Sequence, residues 1–298
     1  VGEWARIWPL QTLVRTMGAY FIRRDSKDPL YRLVLERYVA MATEGGVVQA
    51  IYPEGGLTKD GALRPPRLGL LDYMTRSFDP KGDRDIVFIP VGINYDRSLE
   101  DRSQVLALEP EAPRRGAGFA VATFLGFLGR NLLLMLRGRW YRFGYACVNF
   151  GSPLSMRAHC REAGIDLRAL PREERFREVE KLAAALMRSV GRVVPVLPVS
   201  LVSTALLRFS GRSCSELELK SEVLRMIGEL SGAGARIYIP RADQDYAVTV
   251  GLRMLLLRNL VSESDGLYAP LPEELPLLRY YANSIRHLFP GPERVSPA

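Results

Sequence analysis

The chain has 298 residues, enough for one large domain or two ordinary ones with a sizeable core. Apolar residues make up 47% and charged residues 25%, the profile of a soluble or peripherally bound globular protein. The 41 Lys+Arg against 33 Asp+Glu give a net charge of +8, which suggests an anionic partner: a phosphorylated metabolite, a phospholipid surface or nucleic acid. Cys147, Cys160 and Cys214 are odd in number and form no CxxC pair, which argues against a disulfide framework or a zinc site and suits a reducing compartment. The chain begins at Val1 with no signal peptide before it, so we read it as a fragment whose N-terminal part is missing.

In chain order, Trp4 to Thr16 reads as a helix, and Met17 to Ile22 as a turn into a short strand that ends at Arg23-Arg24-Asp25. From Pro29 to Glu44, Leu30, Leu33, Val34, Arg37, Tyr38 and Met41 recur at helical spacing, and Gly45-Gly46 stops the helix. Val47 to Tyr52 is apolar and β-branched, the pattern of a buried strand, and it stops at Pro53. Glu54, Gly55 and Gly56 then form a flexible elbow, followed by Thr58, Lys59, a turn at Gly61, and Arg64-Pro65-Pro66-Arg67. A carboxylate, an elbow and a hydroxyl-plus-cation pair at a strand end suit a small anionic substrate; an ordinary surface turn is the competing reading. Ile86 to Val91 is a third apolar strand, leading into Gly92-Ile93-Asn94-Tyr95-Asp96. Alternation of strands and helices predicts an α/β domain with a mostly parallel sheet.

Between Ala117 and Leu136 lies an apolar stretch flanked by Arg114, Arg115, Arg137, Arg139 and Arg142. Its length approaches the roughly 20 residues of a membrane span. Its glycines and central Arg130 speak against spanning, since a mid-bilayer Arg costs about 2.5–3.5 kcal/mol. An interfacial helix with cationic flanks fits better, and a buried core helix is the alternative. Tyr145 to Phe150 reads as another strand. Beyond it come helices over Pro171 to Val190, Pro195 to Phe209, Ser215 to Ser231, Asp243 to Ser262 (with Asp243 as N-cap) and Glu273 to Phe289. This gives an α/β domain over 1–155 and a helical C-terminal domain over 156–298.

Three clusters stand in order, each at the end of a predicted strand: Gly18 to Arg24, Tyr52 to Lys59, and Ile89 to Asp96. All three can gather at one sheet edge, where α/β proteins bind ligands. Together they resemble the second, third and fourth sequence blocks of the glycerol-3-phosphate acyltransferase family. Tyr145 to Pro153 resembles the strand after the fourth block, and Tyr280-Tyr281-Ala282-Asn283-Ser284-Ile285 resembles a C-terminal block of the bacterial membrane enzyme. The resemblance implies that Arg23 or Arg24 contacts a glycerol phosphate, a geometry suited to the guanidinium fork. It further implies that Glu54, Gly55 and Gly56 position the acceptor, that Thr58 and Lys59 serve the same site, and that Pro90 marks the acyl-donor side. Leu57 stands where many members carry Arg, so Arg23, Arg24, Lys59 or Arg67 would supply the phosphate contacts.

The family's first block, His-x4-Asp, does not occur. Neither His159, followed by Ala163 and Gly164, nor His287, followed by Gly291, fits it. Acyl transfer to an alcohol needs a general base, so the expectation is an enzyme whose catalytic residues lie upstream of Val1, with the fragment itself inactive.

The leading reading is sn-1 acylation of glycerol 3-phosphate by acyl-CoA or acyl-carrier protein, opening phospholipid synthesis at the cytoplasmic face of a cell membrane. Dihydroxyacetone phosphate as acceptor and a basic peripheral membrane-binding module are the alternatives. No nucleic acid, metal or cofactor is expected: aromatic and basic residues are not interleaved in a binding block, and no GxGxxG or GxxxxGK[ST] follows a strand.

Overall fold

The computed structural model describes residues 10–19, 22, 27–98, 101–108, 126, 129, 133, 144–209 and 211–289. The chain divides into two compact units, Val1–Leu35 with Pro110–Arg142, and Glu36–Glu109 with Phe143–Ala298. In the first unit, α1 spans Leu10–Thr16 and α2 (Pro29–Glu44) begins. Asp28 starts α2, its Oδ1 accepting the amides of Leu30 at 3.0 Å and Tyr31 at 3.3 Å. Arg23 and Arg24 lie outside the described residues, as does the 117–136 segment apart from Gly126, Gly129 and Leu133.

The second unit carries α3 (Gly69–Thr75), β1 (Val87–Phe88), β2 (Val91–Tyr95), α4 (Asp101–Leu106), β3 (Ala146–Phe150), β4 (Leu154–Ser155) and α5 (Met156–Ala163). It continues with α6 (Arg172–Val193), α7 (Pro198–Arg208), β5 (Cys214–Ser215), α8 (Glu216–Gly232), α9 (Gln244–Leu257), β6 (Val261–Ser264), β7 (Leu267–Pro270) and α10 (Leu275–Arg286). The mixed α/β character with a helical second half is as the sequence implies. Among the described residues, no helix is long and apolar enough to cross a membrane.

Two apolar clusters hold this unit. The larger gathers Val202, Leu206, Leu219, Met226, Leu230, Leu255, Leu278, Tyr281 and Ile285 from α7–α10. Fully burying each such side chain contributes about 1.5–3 kcal/mol before entropy is counted. The smaller cluster packs Val179, Leu182, Ala183 and Leu186 of α6 against Leu71, Phe78, Met156 and Leu167. Those α6 positions repeat at three- and four-residue spacing, so one stripe of the helix faces that core.

Helix starts follow local chemistry. Ser215 and Glu218 form a reciprocal capping box at α8, and Asp243 caps α9 by accepting the Tyr246 amide at 3.0 Å. Gly251 of α9 lies against α7 so closely that a Cβ would sit 2.7 Å from the Pro198 carbonyl oxygen.

The strands depart from expectation. Residues 47–52 form no strand: Val48 is 98% exposed and Tyr52 79%, while Ile51 alone of the run packs on the smaller cluster. A β-branched run becomes a strand only when a neighbour pairs its backbone groups, and no described strand does so. Nor is the pairing among the described residues mostly parallel. The pairs β1–β4 and β2–β3 and the sheet β5–β7–β6 are antiparallel, and the parallel contact among the described residues is the isolated Val196–Ile237 bridge. The Asp243 to Ser262 helix also stops early, at Leu257, and residues 261–264 enter β6.

The β2–β3 ribbon wears its polar face inward. Gly92 and Asn94 are buried, whereas Val91, Ile93, Tyr95, Val148 and Phe150 on the other face are exposed. The cause is the exit of α6, whose last carbonyls need donors. Asn149 Nδ2 donates to Val193 O at 3.1 Å and Asn94 Nδ2 to Pro195 O at 2.9 Å. Gly92 permits the approach, since a Cβ there would lie 2.4 Å from Val193 O.

Candidate acyltransferase site

Glu54, Gly55, Gly56, Thr58 and Lys59 lie together in one loop, residues 53–67, which has no helix or strand of its own. It opens in a tight turn in which the Gly55 amide donates to Tyr52 O at 2.9 Å, with Gly55 at φ 69°. A Cβ on Gly55 would stand 2.5 Å from Arg67 Cδ, so the missing side chain lets Arg67 cross the turn. The loop closes where the Arg67 amide donates to Pro53 O and the Arg64 amide to Glu54 Oε2, each at 2.8 Å.

Glu54 is half-buried. Burial raises its pKa, and the Arg64 amide opposes that rise. At the far end Asp60 Oδ1 accepts the Thr58 hydroxyl at 2.9 Å and the Ala62 amide at 3.1 Å, a carboxylate-centred turn. Lys59 is exposed, and its Nζ donates to the Ala107 carbonyl at 3.1 Å.

Pro90 is buried at the break between β1 and β2, where it lacks an N–H for a ladder and its carbonyl accepts the Gly151 amide at 2.8 Å. It stands on a different element from the loop, and one turn of α10 reaches both elements. Asn283 Nδ2 donates to Asp60 O at 2.9 Å, and the next residue, Ser284, receives Asn94 Nδ2 at 3.2 Å and shares a 2.9 Å bond with Ser200. Gly61 (φ 85°) rests so closely on α10 that a Cβ would fall 1.8 Å from Tyr280 O.

Tyr281 anchors the same turn from the other side. Its hydroxyl donates to Asp101 and accepts from Arg258 Nη1 at 2.6 Å and the Ser98 amide at 3.3 Å. Arg258 Nη2 lies 2.7 Å from Asp101 Oδ2, closing a buried triad. Burial first, and the Asp101 charge with it, push the Tyr281 hydroxyl pKa well up.

The two histidines sit apart from these contacts. His159 Nε2 is buried without a partner, and His287 Nε2 donates to Gly191 O at 3.0 Å. Sequence reasoning marked 280–285 as a block without seeing which side chains reach outward. An Asn and a Ser inside a helix, both poor helix formers, were the available signal. Asp60 as the carboxylate that organises the loop was missed as well.

The sequence matches the acyltransferase family model over residues 2–94, a range that holds the 53–67 loop and most of β2. The glycerol-3-phosphate acyltransferase C-terminal region model matches residues 131–292, more than half of the chain, and the chain belongs to that family. A Mycobacterium tuberculosis protein named as an acyltransferase, plsB1, is 33% identical over 223 residues, covering 74% of this chain and 33% of its own. Glycerol-3-phosphate acyltransferases of Pseudomonas entomophila and Aeromonas hydrophila are 29% and 28% identical over 94% and 97% of this chain. The chain spans about a third of the length of these relatives.

Proposed function

We propose that the protein acylates the sn-1 hydroxyl of glycerol 3-phosphate from acyl-CoA or acyl-carrier protein, the entry reaction of phospholipid synthesis. The observation that carries this reading is the clasp just described, in which α10, within the matched C-terminal region, holds both the 53–67 loop and the β2 strand of the acyltransferase blocks.

In the reaction the acceptor oxygen bonds to the thioester carbonyl carbon, a base takes its proton, and the donor sulfur leaves as thiolate. The acceptor must therefore be held with its phosphate neutralised and its hydroxyl aimed. Arg23 or Arg24 takes the phosphate, and Lys59 is a further acceptor residue. Glu54, Gly55, Gly56 and Thr58 help position the acceptor, and Pro90 lies toward the acyl donor. The α/β part occupies 1–155 and the helical part 156–298. The arginine-flanked 117–136 segment lies on the cytoplasmic leaflet, its cations drawn to anionic lipid.

Arg24→Ala in the full-length protein tests the assignment. Losing a charged hydrogen bond is worth roughly ten- to a hundredfold, and the rise should fall on the KM for glycerol 3-phosphate rather than for the acyl donor. Equal rises in both would reject the phosphate role of Arg24.

A further inference from the structure

We propose that Asn283 is a positioning residue for the acceptor, acting through the 53–67 loop; this rests on the acyltransferase reading above. The loop that carries Thr58 and Lys59 has no regular hydrogen-bond ladder. Most of its fixing bonds are local, from Glu54 to Arg64, Pro53 to Arg67 and Asp60 to Thr58 and Ala62. Such bonds set the shape of a loop without setting its place on the protein.

At the Asp60–Gly61 end, placement comes from α10. The Asn283 amide holds the Asp60 carbonyl at 2.9 Å, one residue beyond Lys59, and at Gly61 the loop backbone lies directly on the Tyr280 carbonyl. The donor is itself rigidly presented. Ser284 next to it is tied to Asn94 and Ser200, and Tyr281 two residues before it is tied to Asp101 and Arg258. Asn283 thus transmits the position of a pinned helix to the loop, which Lys59 also ties to Ala107 O at 3.1 Å. A loop that must be ordered by the ligand weakens apparent affinity, and a loop ordered beforehand does not. Asp60 contributes its carboxylate inside the loop and its carbonyl outside it, so one residue couples the two functions.

The test uses the full-length protein and the variants Asn283→Asp, Asn283→Gln, Arg24→Ala and Arg23→Ala. Asp keeps the shape of Asn but cannot donate to a carbonyl; Gln keeps the donor on a stem one methylene longer. Asn283→Asp should raise the KM for glycerol 3-phosphate about three- to tenfold, the worth of one neutral hydrogen bond, with kcat, the donor KM and the melting temperature nearly unchanged. Asn283→Gln should recover part of the loss. If Asn283→Asp lowers kcat, raises both KM values and lowers the melting temperature together, its role is structural and the proposal fails. If Arg24→Ala or Arg23→Ala raises the acceptor KM while Asn283→Asp does not, the positioning role fails and the acceptor reading survives. If neither Arg24→Ala nor the matching Arg23→Ala raises the acceptor KM, the acceptor reading fails and takes the proposal with it.

Discussion

Asp96, at the end of β2, caps a helix that begins about a hundred residues later: its Oδ1 accepts the Val199 amide at 2.9 Å, at the start of α7. Leu197, the residue in the capping position, offers no side-chain acceptor, so the fourth-block turn supplies the cap that the local sequence lacks. The other carboxylate oxygen takes the Tyr145 amide at 2.9 Å, which ties β3 to the same point.

Asp96 is fully buried, and burial pushes its pKa up to about 6 from 3.8, against the lowering pull of the Val199 and Tyr145 amides. The folded state therefore binds the proton more tightly than the unfolded chain. Its stabilising share is fully present below pH 3.8 and is lost as pH rises through about 6. Relative to Asp96→Asn, the wild-type protein should gain up to about 3 kcal/mol on going from pH 7.5 to pH 4. Urea unfolding of both proteins at the two pH values measures the difference. A gain in the opposite direction would show the carboxylate to be held ionised.

Gly61 and Gly164 both take positive φ, 85° and 66°, in different surroundings. Gly164 ends α5 in open space, so Gly164→Ala should cost only the left-handed conformation, about 1–2 kcal/mol. Gly61→Ala adds a methyl carbon placed 1.8 Å from the Tyr280 carbonyl oxygen, which is backbone and cannot swing aside. Its loss of stability should exceed that of Gly164→Ala clearly, and equal losses in chemical denaturation would mean that the loop does not rest on α10.

In the Asp101–Tyr281–Arg258 triad the two removals are unequal. Tyr281→Phe deletes one hydroxyl but leaves Arg258 Nη2 on Asp101 at 2.7 Å. A cost of about 1–3 kcal/mol is expected. Arg258→Met strands a carboxylate that is 3% exposed, and breaking a buried pair from one side costs about 3–5 kcal/mol. Thermal melts of the two variants should rank Arg258→Met as the less stable.

How far the sequence could be read follows the range of the forces. α2 has the bounds that its apolar spacing predicts, and Asp243 caps α9, because spacing and caps act within a few residues. The 53–67 loop was placed by its Pro-Glu-Gly-Gly chemistry. The β6–β7 hairpin was missed although its signal was local: Asp265 and Gly266, at φ 53° and 75°, form the two-residue Asp-Gly turn that favours hairpins. Residues 47–52 failed in the opposite way. Their composition is that of a strand, but pairing depends on partners that composition does not name. The inward polar face of β2 was likewise illegible, because the carbonyls that call for Asn94 and Asn149 lie on a helix far along the chain.

Glu54 combines a fixed bond with a raised pKa, and two substitutions separate them. Oε2 accepts the Arg64 amide at 2.8 Å, and burial raises the carboxyl pKa. A raised acid favours the fold when protonated, so its stabilising share is lost as pH rises through its folded pKa. Glu54→Gln keeps a carbonyl oxygen for the Arg64 amide and removes the charge. It should therefore be at least as stable as wild type above neutral pH, with the acceptor KM within about threefold, since an acceptor for the Arg64 amide is kept. Glu54→Ala leaves the Arg64 amide without its acceptor at the neck of the loop. It should lose about 1–3 kcal/mol and raise the acceptor KM further than Gln does. Urea melts at pH 8 and steady-state kinetics on the full-length protein measure both effects. Should Gln prove as damaging to the acceptor KM as Ala, the carboxylate charge, and not its hold on Arg64, is what the site requires of Glu54.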